Sequence, residues 1–201
     1  KCEGCSDQKE LALTEVRRSP RQQRAKTTVD AILESATRIL EGGEPFTTNH
    51  VAERAGVSVG TLYQYFPDKA AILHALGARE RAAMAEATRA AVAAGVEPVR
   101  AAIRAQLTAF DGRHAARRVV LEAILRDPLV PGMADEVDVG VAPFVREGER
   151  PVHAFVISRA VMGVVRAAVL EDSPLLGTPD LEEALVRLVR GYAEASPKRS
   201  K

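Results

Sequence analysis

Tryptophan is absent, aromatic residues are only 4% of the chain, and its two cysteines, Cys2 and Cys5, stand together near one end. With few β-branched runs as well, little is left from which to build a sheet. A structural zinc normally takes four ligands, and this single C-x-x-C has no second pair to complete a set. A redox role would need a neighbouring βαβ pattern, which is missing. The two cysteines are therefore read as part of a polar, reduced tail. No apolar run reaches the roughly 18 residues of a membrane span, and the N-terminus lacks a signal peptide's apolar core. The expectation is a soluble, cytoplasmic protein with no membrane partner. Lysine and arginine number 28 against 27 acids, a net charge of +1, so no overall basicity marks a nucleic-acid binder. Phosphate-loop glycines, G-x-S-x-G and H-E-x-x-H are also missing. His50, His74, His114 and His153 are scattered, and Asp111 with His114 forms a pair lacking further ligands. Neither an enzyme, a metal site nor a cofactor is expected.

What is present is helix. Alanine is abundant, and apolar residues recur at the 3.6-residue period through most of the 201 residues, enough to bury a real core. Residues 1–26 are polar beyond a weak Leu11, Leu13, Val16 cluster. Arg17, Arg18, Arg21, Arg24 and Lys26 concentrate positive charge there, with no acid after Glu15. They read as a solvated tail or as a flexible basic arm that follows phosphates or a minor groove. Thr28 can cap a first helix, whose Val29, Ile32, Leu33, Ala36, Ile39 and Leu40 form a stripe ending at Gly42 and Gly43.

The stretch Phe46 to Lys69 is the most informative. Thr47 and Thr48 are cap residues for a short helix carrying Val51, Ala52 and Ala55 on one side. Gly56 breaks it, and Ser58 caps a second helix. Two helices joined by a tight glycine turn make a helix-turn-helix, whose second member can lie in a major groove. Ser58, Gly60, Thr61, Tyr63, Gln64 and Tyr65 offer hydroxyls, an amide and one position with no side chain, while Leu62 and Phe66 hold the back of the helix. Lys69 follows Pro67 and Asp68 at the next helix start, where a lysine and free N–H groups can hold a phosphate.

As a string, T-T-x-x-V-A-x-x-A-G-V-S-x-G-T-L-Y-x-Y-F-x-D-K closely resembles the DNA-binding signature of the TetR-type (tetracycline-repressor-like) transcriptional regulators, over about Val29 to Leu73. The turn Gly42-Gly43-Glu44-Pro45 departs from that family's glycine-plus-aromatic pattern, and Phe46 supplies the apolar plug instead. The resemblance implies an all-α protein. A flexible arm at 1–26 leads into a three-helix helix-turn-helix DNA-binding domain at 27–70, followed by a larger helical effector-binding and dimerisation domain at 71–201. By residue-to-motif match it implies DNA contacts at Thr47, Thr48, Ser58, Val59, Gly60, Thr61, Tyr63, Gln64, Tyr65 and Lys69. Tyr63 and Lys69 are assigned to phosphates, and Val59, Thr61 and Gln64 to base edges; Gly60 lets the backbone approach closely.

In the second half, a long helix from Asp68 to about Ala94 links the motif to the rest and is a natural lever. Gly95 ends it, and Pro98 opens the next helix, which carries Ile103, Leu107 and Phe110 and stops at Asp111-Gly112. A further helix spans His114 to Arg126, and Met133 to Gly148 reads as a short helix plus loop. Pro151 to Glu171 is apolar on nearly every side, so it must be covered all round. With Leu181 to about Glu194 it forms a candidate dimer interface of Ile157, Ala160, Val161, Gly163, Val164, Ala168, Leu185, Leu188 and Tyr192, a four-helix arrangement when doubled. Leu107, Phe110, His114, Ile124, Met133, Phe144, Phe155 and Met162 are the bulky residues available to line a pocket for a hydrophobic or aromatic effector. Lys198, Arg199 and Lys201 form an untethered tail.

The function implied is a nucleoid-associated homodimeric repressor on palindromic double-stranded DNA, released when a small molecule rotates the long helix. A DNA-binding architectural protein without an effector is the alternative, and a helical enzyme a third reading without any catalytic constellation.

Overall fold

The computed structural model describes residues 20–126 and 150–195, and every regular element among them is helical. In chain order these are α1 (Pro20–Glu41), α2 (Thr48–Ala55), α3 (Val59–Tyr65), α4 (Lys69–Ala93), α5 (Pro98–Leu107), a single 3₁₀ turn (Ala109–Gly112), α6 (His114–Arg126), α7 (Arg150–Leu170) and α8 (Pro179–Ala195). The cysteine pair, the arm up to residue 19, the segment from Met133 to Gly148 and the basic C-terminal tail lie outside the described residues.

The first helix begins earlier than its apolar stripe predicts. Thr28 does not cap it: Thr27 and Thr28 lie inside α1 and donate their hydroxyls back to the carbonyls of Gln23 and Arg24, both at 3.0 Å. Arg21 to Lys26 reads R-Q-Q-R-A-K, all strong helix formers, and no glycine separates them from the stripe. The last part of the basic arm is therefore helix. At the other end Gly43 has φ 67°, the amides of Gly42, Gly43 and Glu44 return to Arg38, Leu40 and Ile39, and Phe46 packs against the core just beyond.

Two hydrophobic clusters form. The first joins Ile32, Ile39, Val51, Leu62, Phe66, Ile72 and Leu76 of α1–α4 with Phe110, Ala116 and Val120. Each of the larger side chains contributes about 1.5–3 kcal/mol by leaving water, and α6 shares this core with α1–α4. The second joins Val99, Ile103 and Leu107 of α5 with Ile157 and Val165 of α7 and Leu185, Val186 and Val189 of α8. Around it, Glu182 takes Arg100 at 3.0 Å and Arg104 at 2.9 Å, Glu183 takes Arg100 at 2.6 Å, and Glu97 takes Arg190 at 3.3 Å. The long α4 starts in the first cluster and packs along α5 and α6, which gives it the position of a lever.

Candidate nucleic-acid interface and effector cavity

The helix-turn-helix is fixed by side-chain caps. Thr47 Oγ1 accepts the His50 amide at 3.2 Å, so α2 starts at Thr48. Gly56 ends it in the left-handed region at φ 69°, and the Val57 amide closes onto the Ala52 carbonyl at 3.0 Å. Ser58 Oγ then accepts the Thr61 amide at 3.0 Å and lies 2.8 Å from the Thr61 hydroxyl. Asp68 Oδ1 caps α4 through the Ala71 amide at 2.8 Å.

With Leu62 fully buried and Phe66 nearly so, α3 turns its other side outward. Val59, Gly60, Tyr63 and Gln64 are exposed, Tyr63 by 50%, and so is Lys69 at the first position of α4. Tyr63 is steadied by a 3.2 Å hydrogen bond between its hydroxyl and that of Thr48. Gly60 is not demanded by the protein itself, since a Cβ there would meet only Ser58 Oγ, at 3.8 Å. Thr47 and Ser58 are exposed but serve as caps, Thr48 and Thr61 are half-buried, and Tyr65 packs partly against the core. The face thus brings together small, apolar and hydrogen-bonding groups on one short helix, as base-edge reading requires, with a lysine beside it for a phosphate.

A second feature is a cavity of about 100 Å³ between α4, α6 and α7. Of the eight residues assigned to a pocket, Phe110, Ile124 and Met162 meet in its wall. Leu107 instead belongs to the second cluster, His114 is exposed, and Phe155 is 61% exposed with Arg159 over its ring at 5.3 Å. Met133 and Phe144 lie outside the described residues. Sequence reasoning missed Gly77, Glu80, Arg81, Met84 and Arg117, which also line the cavity. It read α4 and α6 only for their apolar stripes, and a charged residue turned inward carries no periodic signal.

Beside the cavity the chain is strained. Phe110 and Asp111 take φ of 67° and 50°, a region costly for residues with a Cβ. The Phe110 amide is held there by Glu80 Oε2 at 3.2 Å.

The residues assigned to a dimer interface divide. Ile157 and Leu185 are buried within the chain's own second cluster, Ala168 is also buried, Val161 and Tyr192 pack partly against that cluster, and Ala160 is half-buried. Gly163, Val164 and Leu188 face outward, together with Val152, Phe155 and Val156, which extend the same apolar surface. His153 Nδ1 and the Tyr192 hydroxyl, 3.0 Å apart, join α7 to α8.

Residues 32–76 match the family described as bacterial regulatory proteins, tetR family. Over 86 residues the chain is 41% identical to the HTH-type transcriptional repressor KstR of Mycolicibacterium smegmatis, covering 42% of this chain and 41% of that protein. It is 35% identical over 88 residues to KstR of Mycobacterium tuberculosis, covering 44% and 39%. The match thus spans about two fifths of these curated relatives' length. Among solved structures, the fatty acid degradation regulator FadR from Bacillus halodurans superposes with a TM-score of 0.58 at 17% identity, covering 86% of this chain and 97% of that one. That likeness speaks for the fold: an N-terminal helix-turn-helix followed by a helical domain. The matched family is one of regulators, not of catalysts. No helix among the described residues is long and apolar enough to cross a membrane.

Proposed function

We propose that this TetR-type regulator is a sequence-specific transcriptional repressor that leaves its operator when a small hydrophobic or aromatic molecule enters the cavity. One observation carries the reading: the outward face of α3, with Val59, Gly60, Tyr63 and Gln64 exposed on a helix capped at Ser58 and anchored by Leu62. The repressors matched over about two fifths of the chain support the sign of the regulation.

Two copies pair through the outward apolar surface of α7 and α8, around Gly163, Val164 and Leu188. Their α3 helices then enter successive major grooves of a palindromic site, about 34–36 Å apart. Lys69 and Tyr63 hold phosphates, and Gln64, Thr61 and Val59 meet base edges. A ligand acts only through its different affinity for the DNA-competent and released states. The cavity lies against α4 and α6, both of which share the core of the DNA-binding unit, so a change there reaches the reading heads. Such a protein works in the cytoplasm, on the nucleoid.

Footprinting on the DNA that flanks its own coding region tests the reading. A protected palindrome is expected, its protection falling steeply with salt. A protein that protects no tract and stays monomeric at working concentration would falsify it.

A further inference from the structure

Arg117 is a buried cation in a cavity wall that Glu80, Arg81 and Arg166 also line. It sits on α6, keeps only 6% of its surface exposed, and lines the cavity beside Phe110, Ile124 and Met162. Its guanidinium is held by neutral acceptors: Nη1 donates to the Leu107 carbonyl at 3.2 Å and Nη2 to the Gln106 carbonyl at 2.6 Å. Both carbonyls belong to the last turn of α5, where no donor exists within the helix. Arg117 therefore ties the end of α5 to α6, but a carbonyl dipole does not neutralise a charge. Burial lowers its pKa to about 10, and the attraction of Glu80 offsets only part of that effect. Glu80 is itself engaged by the Phe110 amide and lies 3.6 Å from Arg79. A buried cation favours an anion as its partner, because each removes the other's cost of leaving water.

We propose that the cavity takes a small apolar acid, its carboxylate paired with Arg117 and its body lying among Phe110, Ile124 and Met162. This deepens the ligand-responsive reading and rests on it. The cavity, about 100 Å³ and open on one side, is smaller than the roughly 150 Å³ that encloses a benzene ring, so a one-ring acid fills it and reaches its mouth. The carboxylate draws the guanidinium from the α5 carbonyls and so loosens the chain leading into the strained elbow at Phe110 and Asp111, where Glu80 holds the Phe110 amide. The first turn of α6 then shifts, and its contacts to Glu34 and Glu41 carry the shift into α1.

Three molecules with one ring and one short chain test the head group: phenylacetate, 2-phenylethanol and 2-phenylethylamine. Calorimetry and melting of the full chain are read for each. Phenylacetate should bind and raise Tm. The alcohol should bind about tenfold more weakly, and the amine not at all. Arg117→Met should lower phenylacetate affinity about tenfold and leave that of the alcohol unchanged. If that variant does not fold, Arg117→Lys should keep the order acid, alcohol, amine, and the unmodified protein with the three molecules decides alone. Alcohol or amine binding as tightly as the acid, or no binding of phenylacetate, overturns the proposal. Release from DNA by the alcohol and not the acid would leave the ligand-responsive reading standing, whereas absence of DNA binding without any ligand removes that reading itself.

Discussion

The amide of Ala116 donates to Glu41 Oε2 at 3.1 Å, joining the first turn of α6 to the last residue of α1 across 75 positions of sequence. Arg113 adds a second link to α1 through Glu34 at 3.2 Å. The carboxylate of Glu41 serves α6 as a cap would, taking up an N–H that has no partner in its own helix and meeting the positive end of its dipole. Through these contacts, and through Ala116 and Val120 in the first core, α6 is fastened to the unit formed by α1–α4.

Glu41→Ala should therefore cost about 1 kcal/mol of stability, the usual worth of a lost N-terminal cap. Urea unfolding measures it. Arg113→Ala, which breaks a half-exposed ion pair, should cost less. Equal effects of the two changes would show that the cap on α6 contributes nothing beyond charge.

How far the sequence shows this arrangement depends on the kind of signal. Caps and breakers are local, so Thr47, Gly56, Ser58, Asp68 and Pro98 lead directly to helix boundaries that the structure repeats. Leu62 and Phe66 likewise reveal the buried side of α3. The start of α1 is hidden because Arg21 to Lys26 are helix formers without an apolar stripe, and Thr28 resembles a cap while bonding backward to Arg24. The cavity is the least legible part. Its wall combines residues of α4, α6 and α7 whose inward turn depends on how the helices cross, and Phe155, apolar by sequence, faces outward beside Arg159.

The clamp between α5 and α8 gives a pH dependence. Glu182 is held below its ordinary value near 4.5 chiefly by the hydrogen bond from Arg104, with that from Arg100 adding to it against the opposing effect of burial. A carboxylate with a lowered folded pKa binds fewer protons than in the unfolded chain, so its contribution is complete above about pH 5 and lost as pH falls toward its folded value. Unfolding in urea from pH 6 down to 3.5 should thus show stability falling below about pH 5. Glu182→Gln should be less stable at pH 6 and show a shallower fall; an identical slope in both proteins would remove Glu182 from the account.

The pairing surface can be tested without disturbing the chain's own packing. A Cβ at Gly163 would meet nothing within 4 Å, so Gly163→Leu adds a side chain in open space on α7. It should even favour the isolated helix by up to about 1 kcal/mol. A partner helix packed there would collide with it, and sedimentation should show dimers giving way to monomers. An unchanged profile would mean that the second copy does not lie against Gly163.

The reading face itself makes the sharpest demand, because its residues do different things. A Cβ added at Gly60 would meet only Ser58 Oγ, at 3.8 Å, so Gly60→Ala should leave the melting temperature unchanged or raise it. Any loss of DNA binding must then come from a methyl group placed against the duplex. Tyr63, steadied by Thr48, is assigned to a phosphate, which carries no sequence information; Tyr63→Ala should weaken binding to all duplexes by a similar factor. Gln64, exposed on the same helix, is assigned to a base edge, and Gln64→Ala should change the order of preference among related sites, at about 1–3 kcal/mol for the base pair it reads. Fluorescence anisotropy with a protected site, its single-base variants and an unrelated duplex separates the three cases. If Tyr63→Ala and Gln64→Ala reduce binding to every duplex by the same factor, the division between phosphate and base contacts on α3 is wrong, even though the helix binds DNA.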